Sequence, residues 1–238
     1  MYVGVDEAGK GPVLGPMVAA AVRATPNQLP ADVDDSKRVP PERRVAIAAE
    51  LRAHDAVAVS VATVDPPEID APDTDMNTLT VRGQARAVRG AYRPGDRVVA
   101  AAGDTSESRF ARRLREALDA TEQSDATEQS DAADQNDATG PNASPSVEAA
   151  HGADESDPVV AAASIVAKVA RDARMRAIDA TYPGYDPVGS GYPSDPVTRA
   201  FLRAYANDHG DVPAHARRSW STCADVLAAA EQSALDEF

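Results

Sequence analysis

Short apolar segments alternate with helical segments along most of this chain, and that alternation strongly restricts its fold. The predicted strands, rich in Val and Ala, are 1–5, 14–22, 56–64 and 97–102. The predicted helices are 41–53, 78–91, 106–118, 159–180, 196–206 and 222–235. Strands followed by helices favour an α/β fold. The first two strands are separated by a Gly/Pro turn, so we expect them to form an antiparallel hairpin.

The chain is strongly acidic and nearly lacks lysine. Its formal net charge is −14, and its lysines are Lys10, Lys37 and Lys168. An acidic surface stays solvated in concentrated salt, where repulsion between like charges is screened. We therefore predict a halophilic protein, with an ordinary acidic protein as the alternative.

Cysteine content and hydropathy indicate a reducing cytoplasm. Cys223 is the one cysteine, so no intramolecular disulfide is possible, and a structural thiol is a simpler interpretation than a nucleophile. No apolar run approaches the ~20 residues that span a bilayer. The N-terminus also lacks the basic region and apolar stretch of a signal peptide. We expect a cytoplasmic protein that does not enter a membrane.

One segment does not fit the α/β pattern. The hexapeptide ATEQSD occurs at 120–125 and again at 126–131, and the residues that follow are also mostly small and polar. Such a composition buries too little apolar surface to offset the entropy lost on ordering. We predict a disordered acidic insertion at about 120–146. An ion-binding loop is the alternative, but the acids lack the glycine pattern of calcium loops.

The segment GVDEAGKGPVLGP near the N-terminus comes close to a phosphate-binding P-loop. Gly4, Gly9 and Lys10 match most of G-x-x-x-x-G-K-[ST], but Gly11 stands where a Ser or Thr should bind Mg²⁺. Pro12 also lacks the amide hydrogen that such a cradle needs. A P-loop is therefore disfavoured.

Two carboxylates at the end of the first predicted strand favour a metal site instead. Asp6 and Glu7 would repel phosphate, whereas Mg²⁺ prefers hard oxygen ligands from several segments. Neighbouring side chains in a strand point to opposite faces, so both reach one metal cluster if the chain turns at Glu7. Gly9 and Gly11 then leave bare backbone that a ligand can approach. On their own, these two acids do not exclude a surface turn.

Six stretches of the sequence resemble type 2 ribonuclease H, also called ribonuclease HII, in the order of that family. They are GVDEAGKGPVLGPMV at 4–18, DSK at 35–37, GDTSESRF at 103–110, GADESDPVVAAASIVAKVARD at 152–172, GSGYPSDPVTRAF at 189–201 and, more weakly, HARRSW at 215–220. The resemblance spans nearly the whole chain except the insertion. It is greatest to the archaeal branch, and the acidic composition points to haloarchaea.

The resemblance implies both a fold and an activity. The fold is an α/β ribonuclease H-like core, a mixed sheet flanked by helices, with a small helical C-terminal portion. We expect a catalytic domain at 1–195, interrupted by the insertion, and the helical portion at 196–238. The implied enzyme is an endonuclease that hydrolyses the RNA strand of RNA–DNA hybrids. It is also implied to cut 5′ of ribonucleotides embedded in duplex DNA, leaving a 3′-hydroxyl and a 5′-phosphate.

The family holds two Mg²⁺ or Mn²⁺ ions with four acids, and matching its motifs to this sequence places those acids at Asp6, Glu7, Asp104 and Asp154. Asp104 closes a predicted strand as Asp6 does, and ligands of open α/β sheets gather at strand ends. Asp154 precedes the long predicted helix, where a loop or capping acid is the alternative. Two metals about 4 Å apart can activate a water and stabilise the leaving oxygen.

The same matching implies five substrate-binding residues. In the family, the loop that corresponds to Gly9, Lys10 and Gly11 recognises the ribose 2′-hydroxyl through backbone atoms. Lys10 stands where an arginine is usual, so a bidentate phosphate contact by that side chain is in doubt. Lys37 resembles the phosphate-binding lysine of the family, and Tyr192 resembles the tyrosine that stacks on the following deoxyribose. The expected partners are RNA–DNA hybrids and ribonucleotide-containing duplex DNA, bound by a monomer; no protein partner is indicated.

Arginine and histidine patterns outside these motifs are less specific. Arginines recur at helical spacing at Arg82, Arg86, Arg89 and Arg93, with Arg109, Arg112 and Arg113 near them in sequence. They fit a phosphate track, but such runs are usually solvated faces, which is the interpretation the sequence slightly favours. The four histidines, His54, His151, His209 and His215, share no metal-ligand spacing. His151 is near Asp154 in sequence, although a peripheral place is simpler.

Two other functions remain as alternatives. One is a different nuclease on the same fold, such as a Holliday-junction resolvase, because fold alone does not determine function. The GSGYPSDP stretch argues against it. The other is a hybrid-binding module without catalysis, which the presence of all four expected acids disfavours.

Overall fold

The computed structural model contains five strands and eight α-helices within the residues that it describes, 1–34, 36–126 and 145–236. The strands are β1 (Tyr2–Ala8), β2 (Met17–Ala24), β3 (Ala58–Val64), β4 (Val98–Ala101) and β5 (Val147–Ala150). The helices are α1 (Pro41–Ala53), α2 (Pro66–Ile69), α3 (Met76–Ala91), α4 (Glu107–Ala126), α5 (Ala153–Ser156), α6 (Pro158–Asp179), α7 (Pro196–His209) and α8 (Ser221–Asp236). A 3₁₀ turn covers Pro26–Gln28.

The five strands form one mixed sheet in the order β3-β2-β1-β4-β5, which confirms the predicted fold class. β1 pairs in parallel with β4, with Val5 opposite Ala100. β4 in turn pairs in parallel with β5, with Ala100 opposite Ala149. Because parallel strands end at the same edge of a sheet, the residues that follow β4 and β5 come close to the end of β1. This edge carries the candidate site.

Helices cover both faces of the sheet. On one face, Tyr2 and the even-numbered alanines of β2 pack against α1 and α6. On the other, Val3 and Val5 pack against α3 and α4 through Val88 and Leu114. Alternate side chains of a strand point to opposite faces, so β1 contributes to both cores. Gly4 is required where α6 approaches β1, because a Cβ at this position would lie 2.5 Å from the carbonyl carbon of Val159.

The described residues divide into two compact units. The first contains 1–8, 19–62 and 77–169, and the second contains 9–18, 63–76 and 170–238. The second unit has its own core, in which Phe201 and Leu202 of α7 pack with Val13, Leu14 and Cys223. The predicted boundary at residue 195, between a catalytic domain and a helical C-terminal portion, does not coincide with the division into these two units. It stays a prediction.

Among the strands, β1, β2 and β5 differ most from the sequence-based expectation, and the short helices α2 and α5 were not predicted. β1 continues to Ala8 and not only to residue 5, so the chain does not turn at Glu7 and the two acids lie within the strand. β2 begins at Met17 rather than at residue 14, because the amides of Val13 and Leu14 bond to the Gly191 carbonyl instead of to the sheet. β5 was not predicted, since four residues of modest β-propensity acquire their conformation by pairing with β4.

Helix α4 runs beyond its predicted end at residue 118. It continues to Ala126, so the first ATEQSD copy is helical, which corrects the start predicted for the insertion. Residues 127–144, which make up most of that segment, lie outside the described part of the chain. Among the described helices, none is both long enough and apolar enough to cross a membrane.

Candidate active site

Asp6 is a buried carboxylate in β1, on the face of the sheet that α6 covers. Its exposed fraction is 8 %. Ser164 of α6 hydrogen-bonds to it, and the Ser164 hydroxyl lies 3.1 Å from that of Ser36. Burial, and then the charge of Glu7, raise the pKa of the Asp6 carboxyl well above its ordinary value, and Asp154 adds to this shift. Because the Asp6 carboxyl is buried near two other acids, binding of a proton or a cation beside it is favoured.

Glu7 occupies the opposite face of β1, where α3 covers the sheet. Its Oε2 accepts a hydrogen bond of 2.7 Å from Nε2 of Gln84. The same amide nitrogen donates to the Ala101 carbonyl at 3.0 Å, and Gln84 is fully buried. Gln84 therefore fixes one oxygen of Glu7 relative to the end of β4. Gly103 makes room for this arrangement, since a Cβ there would lie 2.6 Å from Thr80 and 3.2 Å from Oε1 of Glu7.

Asp104 lies just beyond β4 and is held by an arginine. Nε of Arg109 donates to Oδ2 at 2.9 Å, and Nη2 donates to Oδ1 at 2.6 Å. The amide of Thr105 also donates to Oδ1. These bonds, those of Arg109 above all, hold the pKa of the Asp104 carboxyl below its ordinary value. Asp104 is consequently an anion throughout the neutral range, and its two oxygens already have donors.

The unpredicted strand β5 brings His151 to Asp104. The Nε2 atom of His151 lies 2.7 Å from the Asp104 carbonyl oxygen, and its backbone amide donates to Glu107. The His151 ring is thus a partner of the Asp104 backbone, not of its carboxylate. Three residues later, Asp154 stands in the first turn of α5, after Gly152 in the left-handed conformation. Asp154 is half-buried and close enough to Asp6 to influence its titration.

Lys37 is exposed and follows Ser36 in the chain. Ser36 is buried, and its hydroxyl contacts Ser164, the residue that hydrogen-bonds to Asp6. The two serines therefore connect the segment that carries Lys37 to the buried carboxylate. Sequence reasoning missed Ser164, Gln84 and Arg109 as partners of the acids. Ser164 and Arg109 do lie within matched motifs, whereas Gln84 carries no sequence signal.

The four predicted acids are suitable metal ligands. Within the described ranges, no three His, Cys, Asp or Glu side chains are already spaced to hold an ion. The bidentate contact of Arg109 occupies Asp104 in this conformation. Asp6, Glu7 and Asp154 nevertheless present hard oxygens whose mutual repulsion a divalent cation would relieve. The donor chemistry therefore fits Mg²⁺ or Mn²⁺.

In the second unit, Arg217 organises the loop that contains Gly9, Lys10 and Gly11. Its side chain is fully buried, and it donates to the carbonyls of Gly9 at 2.6 Å, Lys10 at 2.8 Å and Gly15 at 3.0 Å. Burial, and then the charge of Arg171, lower the pKa of the Arg217 guanidinium to about 10. It therefore remains charged at neutral pH. Because these carbonyls face Arg217, the loop does not wrap its amides around an anion as a P-loop does.

A Cβ atom could be accommodated at Gly11 of this loop but not at Gly9. Gly9 has φ of +88°, and a Cβ there would lie 2.2 Å from Nε of Arg171. A Cβ on Gly11 would meet a single neighbour, the Tyr192 ring at 3.8 Å. The guanidinium of Arg171 lies 5.5 Å from the centroid of that ring, and its Nη2 donates to the Ser190 carbonyl. Tyr192 is 41 % exposed, so one side of the ring is supported and much of it is open to solvent.

The sequence is similar to that of one family of known proteins over most of its length. The sequence model of the family described as Ribonuclease HII matches residues 3–223. The chain is 52 % identical to Ribonuclease HII of Haloarcula marismortui over the full length of both, and 48 % identical to that of Halobacterium salinarum over 99 % of this chain and 98 % of the relative.

Solved structures show the same fold. The ribonuclease H2 of Pyrococcus horikoshii superimposes with a TM-score of 0.78 at 29 % identity, covering 97 % of this chain and 99 % of the other. The RNase HII of Archaeoglobus fulgidus, solved in a complex with PCNA, gives a TM-score of 0.71 at 30 % identity over 95 % of this chain and 96 % of the other. The predicted archaeal resemblance is confirmed. The chain belongs to the ribonuclease HII family of metal-dependent endoribonucleases.

Proposed function

We propose that this protein hydrolyses the RNA strand of RNA–DNA hybrids and cuts on the 5′ side of ribonucleotides embedded in duplex DNA. The products are a 3′-hydroxyl and a 5′-phosphate. The observation that supports the proposal is a buried Asp6 carboxyl that the charges of Glu7 and Asp154 both influence, within a chain of this family.

Four acids hold the metal in this proposal. Asp6, Glu7, Asp104 and Asp154 would bind two Mg²⁺ or Mn²⁺ ions, which supply an activated water and stabilise the leaving oxygen. Asp104 would hold a cation in place of its contact with Arg109. Gln84 holds Glu7 in one orientation. Ser164 hydrogen-bonds to the buried Asp6 carboxyl.

Substrate recognition is assigned to the loop, Lys37 and Tyr192. With two of the loop carbonyls bonded to Arg217, the backbone of Gly9, Lys10 and Gly11 is held rigid beside the ribose. The 2′-hydroxyl both donates and accepts hydrogen bonds, so it marks a ribonucleotide for backbone recognition. Tyr192 offers a partly exposed ring for the following sugar, and Lys37 an exposed charge for a phosphate. The protein is expected to act as a monomer.

Cleavage of a duplex with one ribonucleotide in an otherwise DNA strand tests this proposal. The assay is run in molar KCl with Mg²⁺ or Mn²⁺, beside a long RNA–DNA hybrid and all-DNA and all-RNA controls. We expect one cut 5′ of the ribonucleotide and many in the hybrid, both absent in Asp104→Asn. Folded protein that cuts neither substrate under any metal condition would refute the proposal, and cleavage of a DNA-only junction would favour the resolvase alternative.

A further inference from the structure

Two neighbouring segments of the first unit are rich in arginine although the protein as a whole is acidic. Residues 77–93 contain four arginines and no acid, and 107–119 contain four arginines against Glu107, Glu116 and Asp119. These two segments therefore hold a third of the 24 basic residues of the chain. The first segment covers most of α3 and the turn after it, and the second is the N-terminal part of α4, whose remaining residues add Glu122 and Asp125. Both helices pack over the same face of the sheet.

The arginines of α3 lie on its outer side. Arg82, Arg86 and Arg89 are exposed, and at 100° per residue they fall within about 60° of one another around the helix axis. Gln84, which contacts Glu7, lies on the opposite, buried side of α3. The arginine side chains are therefore not part of the packing that supports the carboxylates.

Contacts between the helices connect these arginines to the candidate site. Nη2 of Arg89 donates to the Ala117 carbonyl of α4. Nη2 of Arg113 donates to Oγ1 of Thr78 at 2.7 Å, on the same side of α3 as Arg82. The Nη1 atom of Arg113 lies 3.9 Å from Oδ2 of Asp104, to which Arg109 also bonds. The exposed arginines of α3 thus form a row on the side of the helix that Arg113 contacts, and Arg113 and Arg109 lie next to Asp104.

We propose that this row, Arg82, Arg86, Arg89, Arg109 and Arg113, here named the arginine seam, is a track for the phosphate backbone of the duplex substrate that leads to Asp104. Along α3 the seam extends about 10 Å from Arg82 to Arg89, at 1.5 Å per residue, which matches about three phosphate steps of one strand. Guanidinium groups bind phosphate bidentately and are weakly hydrated, so they suit this role where competing salt is concentrated. This inference rests on the proposed function for the identity of the duplex.

The salt dependence of duplex binding tests the seam. Each phosphate contact adds about 0.9 to the slope of log K against log [KCl]. The variant Arg82→Gln/Arg89→Gln should therefore lower the magnitude of that slope by about 2. Binding is measured by fluorescence anisotropy of a labelled RNA–DNA hybrid in EDTA, where no cleavage interferes, over KCl concentrations at which the protein stays folded.

The matched control is Arg52→Gln/Arg176→Gln, which changes the net charge by the same amount on other helices. Arg52 resembles Arg89, because it too is exposed and donates to a backbone carbonyl, that of Ala48. We expect the control to keep the slope of the unmodified protein. If the slope of log K against log [KCl] were equal for the two double variants, the inference would be overturned. The seam would then be a solvated surface or a binding site for an acidic protein. Cleavage is followed separately, so an inactive protein that still shows the slope change would count against the proposed function alone.

Discussion

The hydrogen bond from Gln84 to Glu7 permits a sharp test of how the site is held together. In Gln84→Leu, the side chain keeps its approximate volume but loses the donor that fixes Oε2 of Glu7. A hydrogen bond to a charged group contributes about 1.5–3 kcal/mol. If that orientation is needed in the transition state, kcat should fall by about 10–100-fold, at 1.36 kcal/mol for each factor of ten. KM should not change, because Gln84 is buried and does not reach the substrate.

The stability of the same variant should also fall. The variant loses the hydrogen bond to the Glu7 carboxylate, worth about 1.5–3 kcal/mol, and a neutral one to the Ala101 carbonyl, worth about 1 kcal/mol. Against this, Oε1 of Gln84 is buried without a partner among the described residues, and its removal relieves an unfavourable burial. We therefore expect the free energy of unfolding, measured in urea, to fall by about 2 kcal/mol.

Val88→Ala serves as the control for a general loss of stability. Val88 is a fully buried residue of the same helix and packs in the core below the sheet. Its truncation should destabilise the protein by about 2 kcal/mol and leave kcat unchanged. The reasoning would be refuted if Gln84→Leu were folded and retained kcat within twofold, or if Val88→Ala lost as much activity.

Further predictions concern the loop and the C-terminal helices. Gly9→Ala should lower the free energy of unfolding in urea by at least about 2 kcal/mol, because the residue has a positive φ and its new Cβ would clash with Arg171. Gly11→Ala should fold normally but raise KM for ribonucleotide-containing duplex in steady-state kinetics. Arg217→Lys keeps the charge but cannot reach three carbonyls, so its unfolding free energy should fall by about 3 kcal/mol. Asp195 caps α7, and hydrogen bonds led by Ser190 lower the pKa of its carboxyl to about 2. The ionised carboxylate contributes about 1 kcal/mol to the free energy of unfolding after solvent screening. This contribution is complete above about pH 4 and is lost as the pH falls through about 2. Asp195→Asn should therefore have a lower melting temperature than the unmodified protein at pH 7, and the two should converge in acid.

Local sequence predicts the helices of this fold better than its strands. α1 begins at Pro41 and ends at Ala53 as predicted, because Pro is favoured in the first turn and the next residues favour helix. β5 depends instead on a partner strand that lies more than forty residues earlier in the chain. Its four residues carry no periodicity of their own, so no local pattern distinguishes them from a loop.

The same distinction applies to the candidate site. The acids are recognisable because their motifs are local, and alternation along β1 already assigns Asp6 and Glu7 to opposite faces once the strand is known to reach Ala8. The partners of those acids come from α3 and α6, which approach opposite faces of the sheet. Gln84 and Ser164 are ordinary polar residues in helical sequences, and only tertiary packing gives them their roles.

Arg217 and Arg218 show most directly why adjacent residues of one type cannot be told apart from sequence. Arg217 is fully buried and donates to three loop carbonyls, whereas Arg218 is largely exposed and pairs with Asp211. A guanidinium carries five donors in a planar fork, so it can replace water around several carbonyls at once. Burial of Arg217 is favourable because the carbonyls of Gly9, Lys10 and Gly15 converge on one point, and that convergence is produced by a loop about 200 residues away in the chain. Its role is therefore a property of the folded loop and not of the HARRSW motif.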